Sequence, residues 1–163
     1  MSLLGMVARL TEAGAQFVVI GGLAARAHGS PRITEDLDIC YNPTPDNIRV
    51  LAALLSSWHA YLRGVEPGLP WIMDERSFGT TPVMTLVTDQ GWIDVMDRVH
   101  GVGEFADVWE NSSELAFEGM KFRVLDLAAL VKAKKATRRS KDLSQLPELE
   151  ALLAMRNKAG RKR

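Results

Sequence analysis

The sequence predicts an α/β (α+β) domain: a small mixed β-sheet flanked by helices and followed by a C-terminal helical segment. Three observations predict it. An apolar run rich in β-branched residues, Phe17-Val18-Val19-Ile20, ends in Gly21-Gly22, and a short Ala-rich stretch then leads to a second strand, Asp36-Leu37-Asp38-Ile39-Cys40-Tyr41. Two hairpin patterns come later: Pro82 to Thr88 against Trp92 to Asp97 across Asp89-Gln90-Gly91, and Leu115 to Phe117 against Phe122 to Val124 across Glu118-Gly119. Between and after these strands, apolar residues recur at helical spacing. A chain of 163 residues is expected to form one domain with a sound core.

In chain order, Ser2 caps a helix over about residues 3–13, with Leu3, Leu4, Val7, Leu10 and Ala13 on one side until Gly14 stops it. The first strand follows at about 16–20. Leu23 to His28 forms a short helix, and Gly29, Ser30, Pro31 and Arg32 make the turn into the second strand. Asn42-Pro43-Thr44-Pro45 is another turn, and Thr44 or Asp46 caps a helix over roughly 46–58. The Gly- and Pro-rich stretch 62–82 predicts no long element. Val102 to Asn111 reads as a helix with Phe105, Val108 and Trp109 on one face. Asp126 caps a helix from Leu127 to about Arg138, and Pro147 is expected in the first turn of a last helix ending near Gly160. Residues 1–125 then form the core and 126–163 the basic C-terminal helices packed on it, with 160–163 a disordered tail.

Composition excludes several classes. No run approaches the ~18 apolar residues of a membrane span, and the opening MSLLGMVARL has neither a basic n-region nor a cleavage site. Cys40 is the sole cysteine, so no internal disulfide forms and a reducing, cytoplasmic setting is expected. The zero net charge is divided: residues 1–120 carry 7 Lys/Arg against 16 Asp/Glu, and residues 121–163 carry 13 against 4. An acidic region followed by a basic one suits a metal site with an anionic substrate above it; a solvated basic helix is the plain alternative.

The chemistry concentrates at Asp36 and Asp38. Two apart on a strand, their side chains share a face, and like charges held that close repel unless a cation lies between them. That points to a metal. Upstream, Gly21-Gly22 ahead of a helix lets a phosphate approach backbone N–H groups with no Cβ in the way. Arg32 offers a guanidinium to a triphosphate and Thr34 a hydroxyl; the structural alternative has Arg32 balancing Glu35 or Asp36. Six cations crowd residues 132–141, with Lys132, Lys135 and Arg139 on one helical stripe and Lys134, Arg138 and Lys141 on the next. Their mutual repulsion points to an anionic partner such as nucleotide or RNA, although a solvated helix face has the same pattern.

The whole stretch from Gly21 to Asp38, GG-x-A-x-x-x-HG-x-x-R-x-T-x-D-x-D, resembles the nucleotidyltransferase superfamily of the polymerase-β type. Within it, the pattern looks most like small prokaryotic members such as the AbiEii-type toxins and the minimal and lincosamide nucleotidyltransferases. The resemblance covers about residues 15–40, 90–100 and 120–145. It implies a third strand carboxylate, which Asp94 in Trp92-Ile93-Asp94-Val95-Met96 supplies; Asp97, at the strand end and on the other face, is the weaker candidate. It further implies that Asp36 and Asp38 bridge two Mg²⁺ ions (Mn²⁺ being the substitute), with Asp94 as a ligand and general base. Asp36, Asp38 and Asp94 would thus be metal ligands and catalytic residues, and Gly21, Gly22, Arg32, Thr34, Lys135 and Lys141 would bind nucleotide. The implied reaction moves a nucleoside monophosphate from ATP or another NTP to an acceptor hydroxyl on tRNA, a protein or an antibiotic-like small molecule, releasing pyrophosphate. A cognate toxin or antitoxin would be a partner.

Two other readings compete. A catalytically silent binding module of the same fold need keep none of the three aspartates, which argues against it. A dinucleotide-binding oxidoreductase rests on Gly101-Val102-Gly103-Glu104-Phe105-Ala106, a G-x-G-x-x-A match. There, however, the preceding strand carries Asp94 and Asp97 where a buried parallel strand is apolar, and no βαβ unit follows. His28, His59 and His100 lack metal-ligand spacing, and Cys40 is expected to be buried.

Overall fold

The computed structural model describes residues 2–161. Ser2 caps helix α1 (Leu3–Glu12) by accepting from the Gly5 N–H at 3.0 Å, and Met6, Val7 and Leu10 form its buried side. Strand β1 (Phe17–Ile20) is buried at every position, as a continuous apolar run in the middle of a sheet must be. It passes directly into α2 (Gly21–Ala27), which therefore takes in both glycines rather than starting after them. Strand β2 (Asp36–Tyr41) returns antiparallel to β1 and sets Asp38 opposite Ile20. Thr44 caps α3 (Pro45–Ser57), with Pro45 in its first turn.

The edge strand β3 (Tyr61–Leu62) and one 3₁₀ turn at Glu75–Ser77 are the regular elements in the Gly/Pro-rich stretch and its border. The expected hairpin follows as β4 (Val83–Thr88) and β5 (Gly91–Met96). A small hairpin of β6 (Arg98–Val99) and β7 (Gly103–Glu104) precedes α4 (Phe105–Glu110). This corrects the helix expected from Val102. Gly101 and Gly103 hold φ of 84° and 134°, which no helix accepts, and a reciprocal cap between Glu104 and Asp107 starts the helix only at Phe105. The second hairpin is β8 (Ser112–Phe117) with β9 (Met120–Leu125), and α5 (Leu127–Thr137) and α6 (Ser140–Arg161) follow.

The seven-stranded sheet runs β3-β4-β5-β2-β1-β9-β8. β2 is parallel to β5 and β1 to β9, and the remaining neighbours are antiparallel, so the sheet is mixed. Val19, Leu37, Ile39, Ile93, Leu55 and Leu130 belong to one continuous apolar core beneath the flanking helices.

The last helix begins seven residues before Pro147, which lies inside it. Asp142 explains the early start. It is buried, and Lys134 Nζ (2.8 Å), Thr137 Oγ1 and Arg139 Nε (2.9 Å) all donate to it. That clasp joins the two helices across the left-handed Arg138. The helix continues through Gly160 and Arg161; the rest of the expected tail, 162–163, falls outside the described residues. No helix among the described residues is long and apolar enough to cross a membrane.

Candidate active site

Period-two alternation sends Leu37, Ile39, Ile93 and Val95 into the core and leaves Asp36, Asp38 and Asp94 on the other face. The parallel register of β2 on β5 pairs Asp38 with Asp94 and Asp36 with Trp92, so the three sequence-predicted carboxylates come together on neighbouring strands. Asp38 and Asp94, side by side in that register, repel one another when both are charged. Burial, reinforced by repulsion from Asp94 and Asp36, pushes Asp38 up to about 7. Burial also raises Asp94, with Arg63 opposing and Asp36 adding to the rise.

Arg63 had no sequence signal. It follows β3, and its Nη1 donates to Asp36 Oδ2 at 3.1 Å while Nη2 donates to Asp94 Oδ1 at 3.0 Å. Its guanidinium lies 4.8 Å from the Trp92 ring centroid. Its Nε is buried with no acceptor among the described residues. Lys134 is the second residue the sequence did not single out from its cationic neighbours. Its charge counters the rise at Asp38, as that of Lys141 does at Asp94, so both lysines belong to the electrostatics of the centre.

The expected nucleotide-binding residues divide. Gly21, at φ 63°, leaves room for Asp38 itself: a Cβ there would lie 2.2 Å from Asp38 Oδ2. A Cβ on Gly22 would lie 2.7 Å from Thr34 Oγ1, and Thr34 donates to the Asp36 carbonyl at 3.2 Å. The glycines thus let α2 press against the carboxylate strand. Arg32 turns away, pairing with Glu148 Oε2 at 2.9 Å and the Ser144 carbonyl at 3.0 Å on α6, rather than with Glu35 or Asp36. Lys135 pairs with Glu150 of α6 at 3.2 Å. Of the two lysines expected to reach phosphate, Lys141 is the one whose charge bears on Asp94.

The glycines of the G-x-G-x-x-A match have packing duties. A Cβ on Gly101 would meet Ala136 Cβ at 2.6 Å, and one on Gly103 would meet Asp107 Oδ2 at 2.3 Å. Neither leaves a cradle for a pyrophosphate. Two shallow depressions elsewhere, one beside Gln16, Trp109 and Arg123 and one beside Thr44 and Asn47, include none of the three aspartates.

Among the described residues, no three His, Cys, Asp or Glu side chains are arranged to hold a metal ion together as they stand. Arg63 lies between two of the three candidates. The donor chemistry nevertheless fits a hard divalent cation: all three groups are carboxylates, and one guanidinium faces the three of them.

A family model described as "Nucleotidyl transferase of unknown function (DUF2204)" matches residues 1–160. The crystal structure of a candidate nucleotidyltransferase from Thermotoga maritima superposes with a TM-score of 0.53 at 19% identity, covering 96% of this chain and 91% of that one. At that identity the likeness shows the fold. No curated protein sequence matches the chain.

Proposed function

This chain belongs to the family of nucleotidyl transferases of unknown function, and on that premise we propose that it is a metal-dependent nucleotidyltransferase. It moves a nucleoside monophosphate from an NTP to an acceptor hydroxyl and releases pyrophosphate. One observation carries the reading: Asp36, Asp38 and Asp94 meet on two paired strands with more negative charge than Arg63 offsets. Mg²⁺ or Mn²⁺ held by these carboxylates would neutralise phosphate charge and activate the attacking hydroxyl. Asp94 would serve beside them as the base for the proton of that hydroxyl. Lys134, fixed by Asp142, and Lys141 supply positive charge to the triphosphate. The acceptor hydroxyl belongs to an RNA, a protein or an antibiotic-like small molecule. Pairing with a cognate toxin or antitoxin is part of the same reading, as is the cytoplasmic location suggested by the single buried thiol of Cys40.

Thermal unfolding with each NTP, with and without Mg²⁺, tests this on the wild type and on Asp36→Ala/Asp38→Ala. A nucleotide at ~100 times its Kd adds about 2.7 kcal/mol to the native state. The expected gain requires Mg²⁺ and is absent from the double variant; no gain with any NTP rejects the proposal. One observation favours a second reading, a binding module without turnover: Arg63 engages two of the three carboxylates. Such a module would be stabilised by nucleotide equally well without Mg²⁺.

A further inference from the structure

We infer that Arg63 fills the place of one divalent cation, so that this site takes a single metal ion where a two-metal site would take a pair. The inference rests on the metal-dependent reading above. Arg63 joins one oxygen of Asp36 to one oxygen of Asp94, at 3.1 and 3.0 Å, which is the bridge between carboxylates that a divalent ion otherwise makes. The bridge is built into the sheet. The Arg63 backbone N–H donates to the Thr85 carbonyl at 3.0 Å, and Thr85 is the β4 residue directly opposite Asp94. From there the side chain crosses β4, touches the Leu86 carbonyl at 3.4 Å, lies over Trp92 of β5 and reaches Asp36 on β2. Only 26% of the side chain is exposed.

A guanidinium stays charged at every pH at which proteins fold. An ion on the same two oxygens would face that charge at contact distance, inside a partly desolvated site where repulsion is strong. Oδ1 of Asp36, Oδ2 of Asp94 and the Asp38 carboxyl are not engaged by Arg63. They would be the donors left to one ion, and Asp38 among them lies against Gly21.

Counting bound ions tests this without turnover. The full chain is titrated with Mn²⁺ in the presence of α,β-methylene-ATP, with free Mn²⁺ followed by electron paramagnetic resonance. One ion is expected on the wild type, one on Arg63→Lys, which keeps the charge, and two on Arg63→Gln. Two ions on the wild type overturn the inference even if Arg63→Gln fails to fold. One ion on both the wild type and a folded Arg63→Gln overturns it while leaving metal dependence intact, and an ion on Arg63→Gln alone overturns the single-ion site. No ion on any of the three overturns the inference and the metal-dependent reading together.

Discussion

Two charged clusters in this chain are opposites in composition. At the acidic centre, one guanidinium pairs with two of three carboxylates, and burial with mutual repulsion pushes the third, Asp38, up to about 7. At the α5–α6 contact a single carboxylate has three donors. Burial works against Asp142 there too, yet hydrogen bonds from Lys134, Thr137 and Arg139 draw it down to about 2. Desolvation is common to both, so the number of partners decides the sign. A complete cluster holds structure together. An incomplete one stores unbalanced charge for something outside the chain to neutralise, and Lys134 couples the two, donating to Asp142 while moderating Asp38.

The largest effect is expected at Asp142. Asp142→Ala strands the nearly buried Lys134 and unfastens α6, and a loss of about 3–5 kcal/mol is expected in urea unfolding. Asp38→Asn removes charge that its cluster holds in excess, so stability at pH 8 should stay level or rise. If both substitutions destabilise alike, the clusters are not different in kind.

Acid unfolding sharpens the same contrast. Asp142 holds its proton less tightly in the native state than its ordinary value of 3.8. Its contribution is therefore complete above about pH 4 and lost as pH falls through about 2, a change of about 2 kcal/mol. Urea midpoints between pH 2 and 5 should show that limb in the wild type and lack it in Asp142→Asn. Next in size is Gly21→Ala, at about 1–2 kcal/mol for a left-handed alanine. Because the new Cβ meets Asp38 at 2.2 Å, Mn²⁺ affinity should fall by more than the stability loss implies.

Much of this was legible because short-range patterns set it. Alternation placed Asp36, Asp38 and Asp94 on strands, and Thr44 was one of two caps the sequence offered for α3. The pairing of Asp38 with Asp94 was not: it depends on β2 lying parallel to β5, a long-range choice that no local pattern encodes. Arg63 stood at the edge of a Gly/Pro-rich stretch without periodicity, and only the three-strand span of its side chain gives it meaning. Lys134 looked like its five cationic neighbours until the fold closed Asp142 over it. Pro147 carried a true helix-start signal, but the clasp on Asp142 outweighed the backbone hydrogen bond that a proline inside α6 forgoes.

The smallest expected effect concerns Arg32, a candidate phosphate ligand that an exposed ion pair ties to α6. Glu148 receives its Nε at 2.9 Å and the Ser30 hydroxyl at 2.8 Å, on a surface where Arg32 is nearly half exposed. Such a pair contributes about 0.5 kcal/mol. Glu148→Gln should therefore barely move the urea midpoint, while releasing Arg32 from a full negative charge. If Arg32 serves the triphosphate, the variant binds Mn²⁺·NTP more tightly than the wild type at low salt, because the competing carboxylate has gone. If nucleotide affinity stays unchanged, the guanidinium belongs with the Asp142 clasp as a fastening for α6, and the triphosphate is left to Lys134 and Lys141.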